Sequence, residues 1–410
     1  MEIKWPSRSE IMDGITLSAK GQVMPEALIP SITLSAKGQV MPEALIPSIT
    51  LSAKGQVMPE ALIPSITLSP KEQVMPEALI PSITAPGVIA GVWLNDKLVY
   101  KIEYGLSDIS TAKPMDWSTK VPIGSITKTY TCAIILMLAE QNLLDIDDDA
   151  NKYLSWIPSG IKIKHLGNMT SGLYNYTEDD NFNKKLDDDP YKNWTPDELV
   201  AISQKNPLNF NPGESWEYSN TNTVILALIA ETITNKSIEQ LYREFIFEPL
   251  KLNSTYASND SDNPAIPNCN GYMYGYFSPD DEEKSNELRD VTLHNRSYSW
   301  AAGHIISDIE DLKTWIKMFV GGKIFDDTTI QTRNNTFISQ PRFDYGFGLM
   351  STLDKNWFGH NGQICGYQSI AMHSPKYRAT IVVMTNLYAE QSGEKPADNI
   401  FKRLSKFVEN

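Results

Sequence analysis

The order of elements along the chain predicts an α/β fold of the α+β kind. An antiparallel sheet is built from both chain ends and flanked by helices, with a helical lobe inserted between. Three observations carry this reading. Strand-like segments at residues 88–94 and 97–104 are separated by the turn residues Asn95-Asp96 and read as a hairpin. Strand-like segments return at 345–350, 366–372 and 379–384. The stretch between, about 150–300, is polar and rich in helix and loop patterns, and so reads as an insertion into one sheet.

The bulk properties narrow the class. A chain of 410 residues is too long for one small core and predicts two lobes plus extras. A net charge of −14 disfavours nucleic acid, which needs a basic stripe, and anionic membrane surfaces. No stretch reaches the roughly 18 apolar residues of a membrane span. Residues 1–6 have no apolar leader pattern. Cys132, Cys269 and Cys365 are far apart with no zinc spacing, and read as small apolar residues.

Residues 15–82 hold four copies of a 17-residue unit, three of them identical and the fourth altered at Pro70 and Glu72. Each unit carries at least two prolines, which interrupt a helix, so a solenoid is disfavoured. Residues 1–65 are therefore expected to be an appendage and 66–410 the working domain. Within that domain, 66–145 and 300–410 form the sheet lobe and 146–299 the helical lobe. The surface excursion is marked by Pro264, Pro267 and the acidic run 280–283.

The sheet lobe holds the chain's most informative stretch, Ile123-Gly124-Ser125-Ile126-Thr127-Lys128, followed by the apolar run 132–139. That run reads as a buried helix. If the helix begins near Ser125, Ser125 and Lys128 lie at i and i+3 on one face. The helix start offers unpaired N–H groups, and an amine in an apolar wall loses its proton more easily, so Ser125 reads as an activated nucleophile. A second Ser-x-x-Lys, Ser110 to Lys113, precedes Pro114 and reads as a turn. The acidic cluster 145–149 lacks calcium-loop spacing and reads as a solvated turn.

Two further patterns follow in order. Tyr218-x-Asn220 lies between the turn 210–213 and the buried helix pattern 224–230, and His360-x-Gly362 precedes a strand. Tyr191-Lys192-Asn193 and His165-Leu166-Gly167 fit the same spacings in less informative surroundings. Together the set suits acyl transfer. Ser125 attacks a carbonyl while Lys128 and Tyr218 hold and move protons. Backbone N–H groups of Ser125 and Gln363 receive the oxyanion. Asn220 orients a substrate amide and holds the lysine, His360 lines the cleft and assists electrostatically, and Gly362 lets substrate approach the strand. The segment 400–408 closes the chain as an amphipathic helix.

These three motifs resemble those of the serine beta-lactamase and penicillin-binding protein superfamily. The segments Thr170-Ser171-Gly172-Leu173, Asn211-Pro212-Gly213, Tyr218-Ser219-Asn220, Glu248-Pro249-Leu250 and Tyr345-Gly346-Phe347-Gly348 look like landmarks of class C beta-lactamases and D-alanyl-D-alanine carboxypeptidases. The resemblance covers roughly residues 70–410. It implies the beta-lactamase/transpeptidase-like fold, with catalytic positions at Ser125, Lys128, Tyr218, Asn220 and His360. It implies no metal or other cofactor, and a small peptide, beta-lactam or ester as substrate. The family usually works outside the cytoplasm, which leaves the compartment open beside the leaderless start. The His-Asn-Gly of residues 360–362 departs from the Lys-Thr-Gly usual in class C beta-lactamases and tilts the expectation toward a carboxypeptidase. The replacement by Asn361 and the lack of a nearby arginine keep an esterase, a D-amino-acid amidase or a non-turnover penicillin-binding module open. Deleting residues 1–65 is expected to leave folding and activity intact. The checks are thermal unfolding and turnover of the truncated chain, and an insoluble or inactive product overturns the appendage reading.

Overall fold

The computed structural model describes residues 84–257, 267–278, 287–322 and 324–410. The four repeats, Pro264 and the acidic run 280–283 lie outside the described residues. Strands β1 (Gly87–Leu94), β2 (Lys97–Asp108) and β3 (Lys113–Pro114) come first, followed by the short β4 (Val121–Pro122). β5 (Tyr256–Ala257), β6 (Tyr272–Tyr274), β7 (Leu288–Asp290) and β8 (Ile305–Ser307) are scattered through the middle. Then come β9 (Ile338–Ser339), β10 (Asp344–Tyr345), β11 (Met350–Ser351), β12 (Phe358–Ile364), β13 (Tyr367–Ser374) and β14 (Ala379–Thr385). Nine of these form one sheet in the order β3-β2-β1-β14-β13-β12-β11-β10-β9. Each pairing is antiparallel, and the β1–β14 register, Val88 opposite Thr385, joins early chain to late chain.

Side-chain alternation explains why β1 and β14 are apolar throughout. In a strand successive side chains face opposite sides. Ile89 and Trp93 of β1, with Val382 and Met384 of β14, enter one core. Val88, Ala90 and Val92, with Ile381 and Val383, enter the other. Both faces are covered, so the strands read as continuous apolar runs. The β1–β2 turn places Asn95 at φ 48° and Asp96 at φ 67°, the left-handed pair that a two-residue hairpin needs.

Four helices matter for the site. The first, α1 (Thr127–Glu140), is buried from Thr127 through Leu138. Helix α2 (Asn220–Thr234) packs on α1. Helix α3 (Ile309–Val320) packs on β13 and β14, and its Trp315, Ile316 and Phe319 share the core of α1. Helix α4 (Pro396–Glu409) packs on the same strands from the other core, burying Phe401 and Leu404 and exposing Lys402 and Arg403. Proline in its first turn suits a helix start, where the missing N–H is not needed.

One expected strand is different. Residues 345–350 form no single strand but the facing ends of β10 and β11, with Tyr345 opposite Met350. Gly346 N–H donates to the Leu349 carbonyl, closing a turn, and Gly348 sits at φ 65° with its N–H on the Gly167 carbonyl. The three cysteines are buried and free. Ser110 and its neighbours form an exposed turn leading into β3. In the acidic cluster 145–149, Asp147 pairs with Lys162 and Lys164, and Asp148 with Lys152. Among the described residues no group of acidic, His and Cys side chains is arranged to hold a metal ion, and no helix is long and apolar enough to cross a membrane.

The α1–α3 contact is one anchor of the serine helix. The Trp315 ring stacks on Tyr130 with centroids 4.1 Å apart, and its Nε1 donates to Thr129 Oγ1 at 2.7 Å. Trp315→Ala is expected to destabilise the fold by about 3–5 kcal/mol, the usual cost of emptying a buried aromatic site, as read by urea denaturation.

Candidate active site

Ser125 occupies a single 3-10 turn, Gly124–Ile126, that runs directly into α1. Lys128 follows on the same face, fully buried, with its Nζ 3.0 Å from Ser125 Oγ. The amine also donates to the Ala302 carbonyl at 2.8 Å. A neutral amine satisfies this geometry with one N–H on Ala302 and its lone pair toward the serine hydroxyl. Burial of the ammonium pulls Lys128 down to about 7.

Tyr218 ends the loop that precedes α2. Its phenol faces the Ser125 hydroxyl. Burial holds the phenol well above its ordinary pKa, with the Ser125 hydroxyl pulling partly back, so it remains protonated at neutral pH. The Lys128 amine lies 5.0 Å from the Tyr218 ring centroid. The serine, the amine and the phenol, from two separate helix starts, thus converge.

Strand β12 forms the opposite wall. Its neighbour β11 pairs only with Phe358 and Gly359, leaving the strand without a partner on that side from His360 onward. The stretch Asn361 to Gln363, half-buried at its ends and buried at Gly362, runs past the serine turn. Gly124, at φ 52°, has room for no side chain: a Cβ there falls 2.7 Å from the Gln363 nitrogen. A Cβ on Gly362 falls 1.9 Å from the Ile123 carbonyl oxygen. The two glycines therefore let the strand and the nucleophile turn touch backbone to backbone. The Ile123 carbonyl by itself demands glycine at 362, a reason beyond the sequence expectation, and Gly362 also lines the cleft.

Two other expected roles change. Asn220 does not hold the lysine. Its side chain donates to Thr177 Oγ1 at 3.0 Å and its backbone N–H to Asn175 Oδ1 at 3.0 Å, because it sits in the first turn of α2 against the loop 175–177. It still lines the cleft. His360 does not line the cleft. It is fully buried, with Nε2 3.1 Å from the Tyr345 hydroxyl and Nδ1 on the Asn361 carbonyl. Burial first, and the Lys128 charge second, lower it to about 3, so the ring is neutral. Its ring lies beside Tyr218, centroids 6.4 Å apart, and Tyr345 lies 6.1 Å from Tyr218.

Sequence reasoning missed the Ala302 carbonyl and Tyr345 as site groups. Nothing at the sequence level marks Ala302. The chain reaches it through Trp300, a non-glycine residue at φ 31° and ψ −130°, a conformation seldom adopted and one that only surrounding packing maintains. Tyr345 was visible only as part of a Tyr-Gly-Phe-Gly pattern.

The cleft encloses about 430 Å³, the size of a small-molecule or peptide-end site. Ser125, Tyr218, Asn220, Asn361 and Gln363 supply polar groups, and Phe182, Trp216, Phe343, Tyr298 and Tyr388 supply aromatic surface.

Fold and site together define an α+β protein with a Ser-x-x-Lys pair between a sheet edge and helices. The chain belongs to the family described as Beta-lactamase, which it matches over residues 77–405. It is similar to penicillin-binding protein 4* of Bacillus subtilis, 26% identical over 70% of this chain and 65% of that one. It is also similar to a D-aminopeptidase of Brucella anthropi, 27% identical over 73% of this chain and 56% of that one. The chain thus spans less than two thirds of the length of these curated relatives. A D-stereospecific amidohydrolase from Streptomyces sp. superimposes with a TM-score of 0.67 at 26% identity, covering 78% of this chain and 93% of that one.

Gly362→Ala is expected to destabilise the protein by about 1–3 kcal/mol, the usual range for overpacking, since the backbone at Ile123 must move. Thermal unfolding beside the unmodified protein measures it.

Proposed function

We propose that this protein is a serine hydrolase that works through an acyl-Ser125 intermediate and cleaves amide bonds of small D-amino-acid derivatives. The observation that carries the chemistry is the buried Lys128 amine, lowered to about 7, at 3.0 Å from Ser125 Oγ and beside the Tyr218 phenol. In acylation the neutral amine takes the Ser125 proton as Oγ bonds to the substrate carbonyl carbon. The carbonyl oxygen gains the negative charge and is received by the N–H groups of Ser125 and Gln363. The intermediate collapses, the C–N bond breaks, and Lys128, through Tyr218, returns a proton to the leaving amine. Water then enters by the reverse proton path and releases the acid. His360, neutral and bonded to Tyr345, acts as a positioning residue for the Tyr218 side of the cleft.

The amide reading is supported by the aromatic lining, which suits an apolar side chain, and by the names of the D-aminopeptidase and D-stereospecific amidohydrolase relatives. The cleft lining contains no arginine for a terminal carboxylate among the described residues. A D-alanyl-D-alanine carboxypeptidase is the second reading, favoured by one lining cation, Lys395, and by the penicillin-binding protein relative.

Hydrolysis of D-phenylalanine amide, its L enantiomer and a D-Ala-D-Ala peptide separates these readings. The D-amide is expected to be cleaved fastest, and preference for the peptide reverses the order. Ser125→Ala is expected to lower kcat/KM by about 10⁴-fold or more. Intact-mass spectra with a slow acylating ester are expected to show one adduct, absent in that variant and lost on standing; an adduct that persists supports a binding module instead. The rate of acylation is expected to rise with pH through about 7, because only the deprotonated Lys128 accepts the serine proton and the amine is protonated below that value. A rate that is flat between pH 5 and 9 removes Lys128 as the base.

A further inference from the structure

The cleft contains a carboxylate that the reaction above does not use. Asp398, in the first turn of α4, lines the same cavity as Ser125. Its side chain does not cap its own helix. Its hydrogen bonds among the described residues come from one group, the Asn361 amide nitrogen, at 3.4 and 3.3 Å. Asn361 lies on the open edge of β12, next to His360 and two residues from Gln363. No described lysine, arginine or histidine forms an ion pair with Asp398.

The surroundings explain why it stays unpaired. Gln363 and Gln368 both direct their amide nitrogens to the Tyr388 carbonyl, at 2.8 and 2.6 Å, and the Gln368 oxygen accepts from Ala397 N–H. These amides are engaged with backbone groups and leave the carboxylate with a single weak donor, Asn361. Lys395 lines the cleft and Lys402 lies on the same helix, and both act on Asp398 only through their fields. Burial raises the Asp398 carboxyl above its ordinary value, with the two lysines and Asn361 pulling partly back. A half-buried carboxylate gains most from a partner that brings both a charge and N–H donors.

We propose that Asp398, steadied by Asn361, is a specificity subsite for a primary ammonium group on the substrate. This rests on the amide-hydrolase reading and deepens it. Successive same-face residues of a strand are about 6.7 Å apart, so Asn361 stands roughly that far along the strand from the oxyanion N–H of Gln363. The ammonium belongs on the α-amine of a short acyl group or on the far end of the leaving amine. Lys395, on the mouth of the same cleft, sets the opposite preference and keeps anionic substrates from being excluded outright.

The experiment measures calorimetric binding to full-length Ser125→Ala protein, where no acylation intervenes. The ligands are two matched pairs: D-phenylalanine amide against N-acetyl-D-phenylalanine amide, and N-acetyl-D-alanine amides of ethylenediamine and of ethanolamine. In at least one pair the ammonium ligand is expected to bind about 10-fold or more tightly, the scale of one charge-assisted hydrogen bond. The pair that responds identifies which end of the substrate the carboxylate reads. Adding Asp398→Asn is expected to bring both members of that pair within about 2-fold, and adding Lys395→Met to widen the gap. Equal affinities in both pairs, or a preference that survives Asp398→Asn with an unchanged melting temperature, overturn the proposal. Failure of a neutral activated ester to acylate Ser125 in the unmodified protein is a separate result and strikes the hydrolase reading, not the subsite.

Discussion

An ammonium group cannot be put into an apolar wall without a large cost, and this fold places one there, at the start of its most buried helix. Removing Lys128 from water disfavours its charged form, and the released lone pair faces the serine hydroxyl. Everything around it serves to keep water away while leaving one side open. Helix α1 is covered by α2 and α3, the Ala302 carbonyl takes one N–H, and Tyr218 closes the far side. Only the Ser125 side opens to the cleft.

The sheet supplies the second wall by a close backbone approach. Two glycines, one before the serine and one on β12, leave no room for side chains where the strand crosses the helix start. The contact fixes the nitrogen of residue 363 relative to that of residue 125 without any side-chain adjustment. The same strand is unpaired on its β11 side beyond Gly359, so the rigid edge that positions the N–H also offers backbone groups to an extended ligand. Pairing β1 with β14 then carries the chain's end back over the sheet, where α4 delivers Asp398 to the cleft.

The legible part of the site was local. Ser125 and Lys128 are three residues apart on one helix, and that periodicity is a property of the helix itself. The hairpin at Asn95-Asp96 and the alternating faces of β1 and β14 were likewise readable, because turn chemistry and a period of two are set within a few residues. The surroundings of Asn220, His360 and Gly362 were not legible for a common reason. Each depends on what lies across a tertiary contact: Thr177 for Asn220, Tyr345 for His360, Ile123 for Gly362.

By itself the sequence determined the element order, the pairing of Ser125 with its neighbouring amine, and the family likeness, since all three are written in spacing along the chain. Tertiary structure alone decided that Tyr218, the Ala302 carbonyl and the β12 edge surround that nucleophile, and that His360 is enclosed rather than exposed. Groups separated by tens to hundreds of positions meet only when the sheet closes, and burial, which sets the charge of Lys128 and His360, has no meaning until it does.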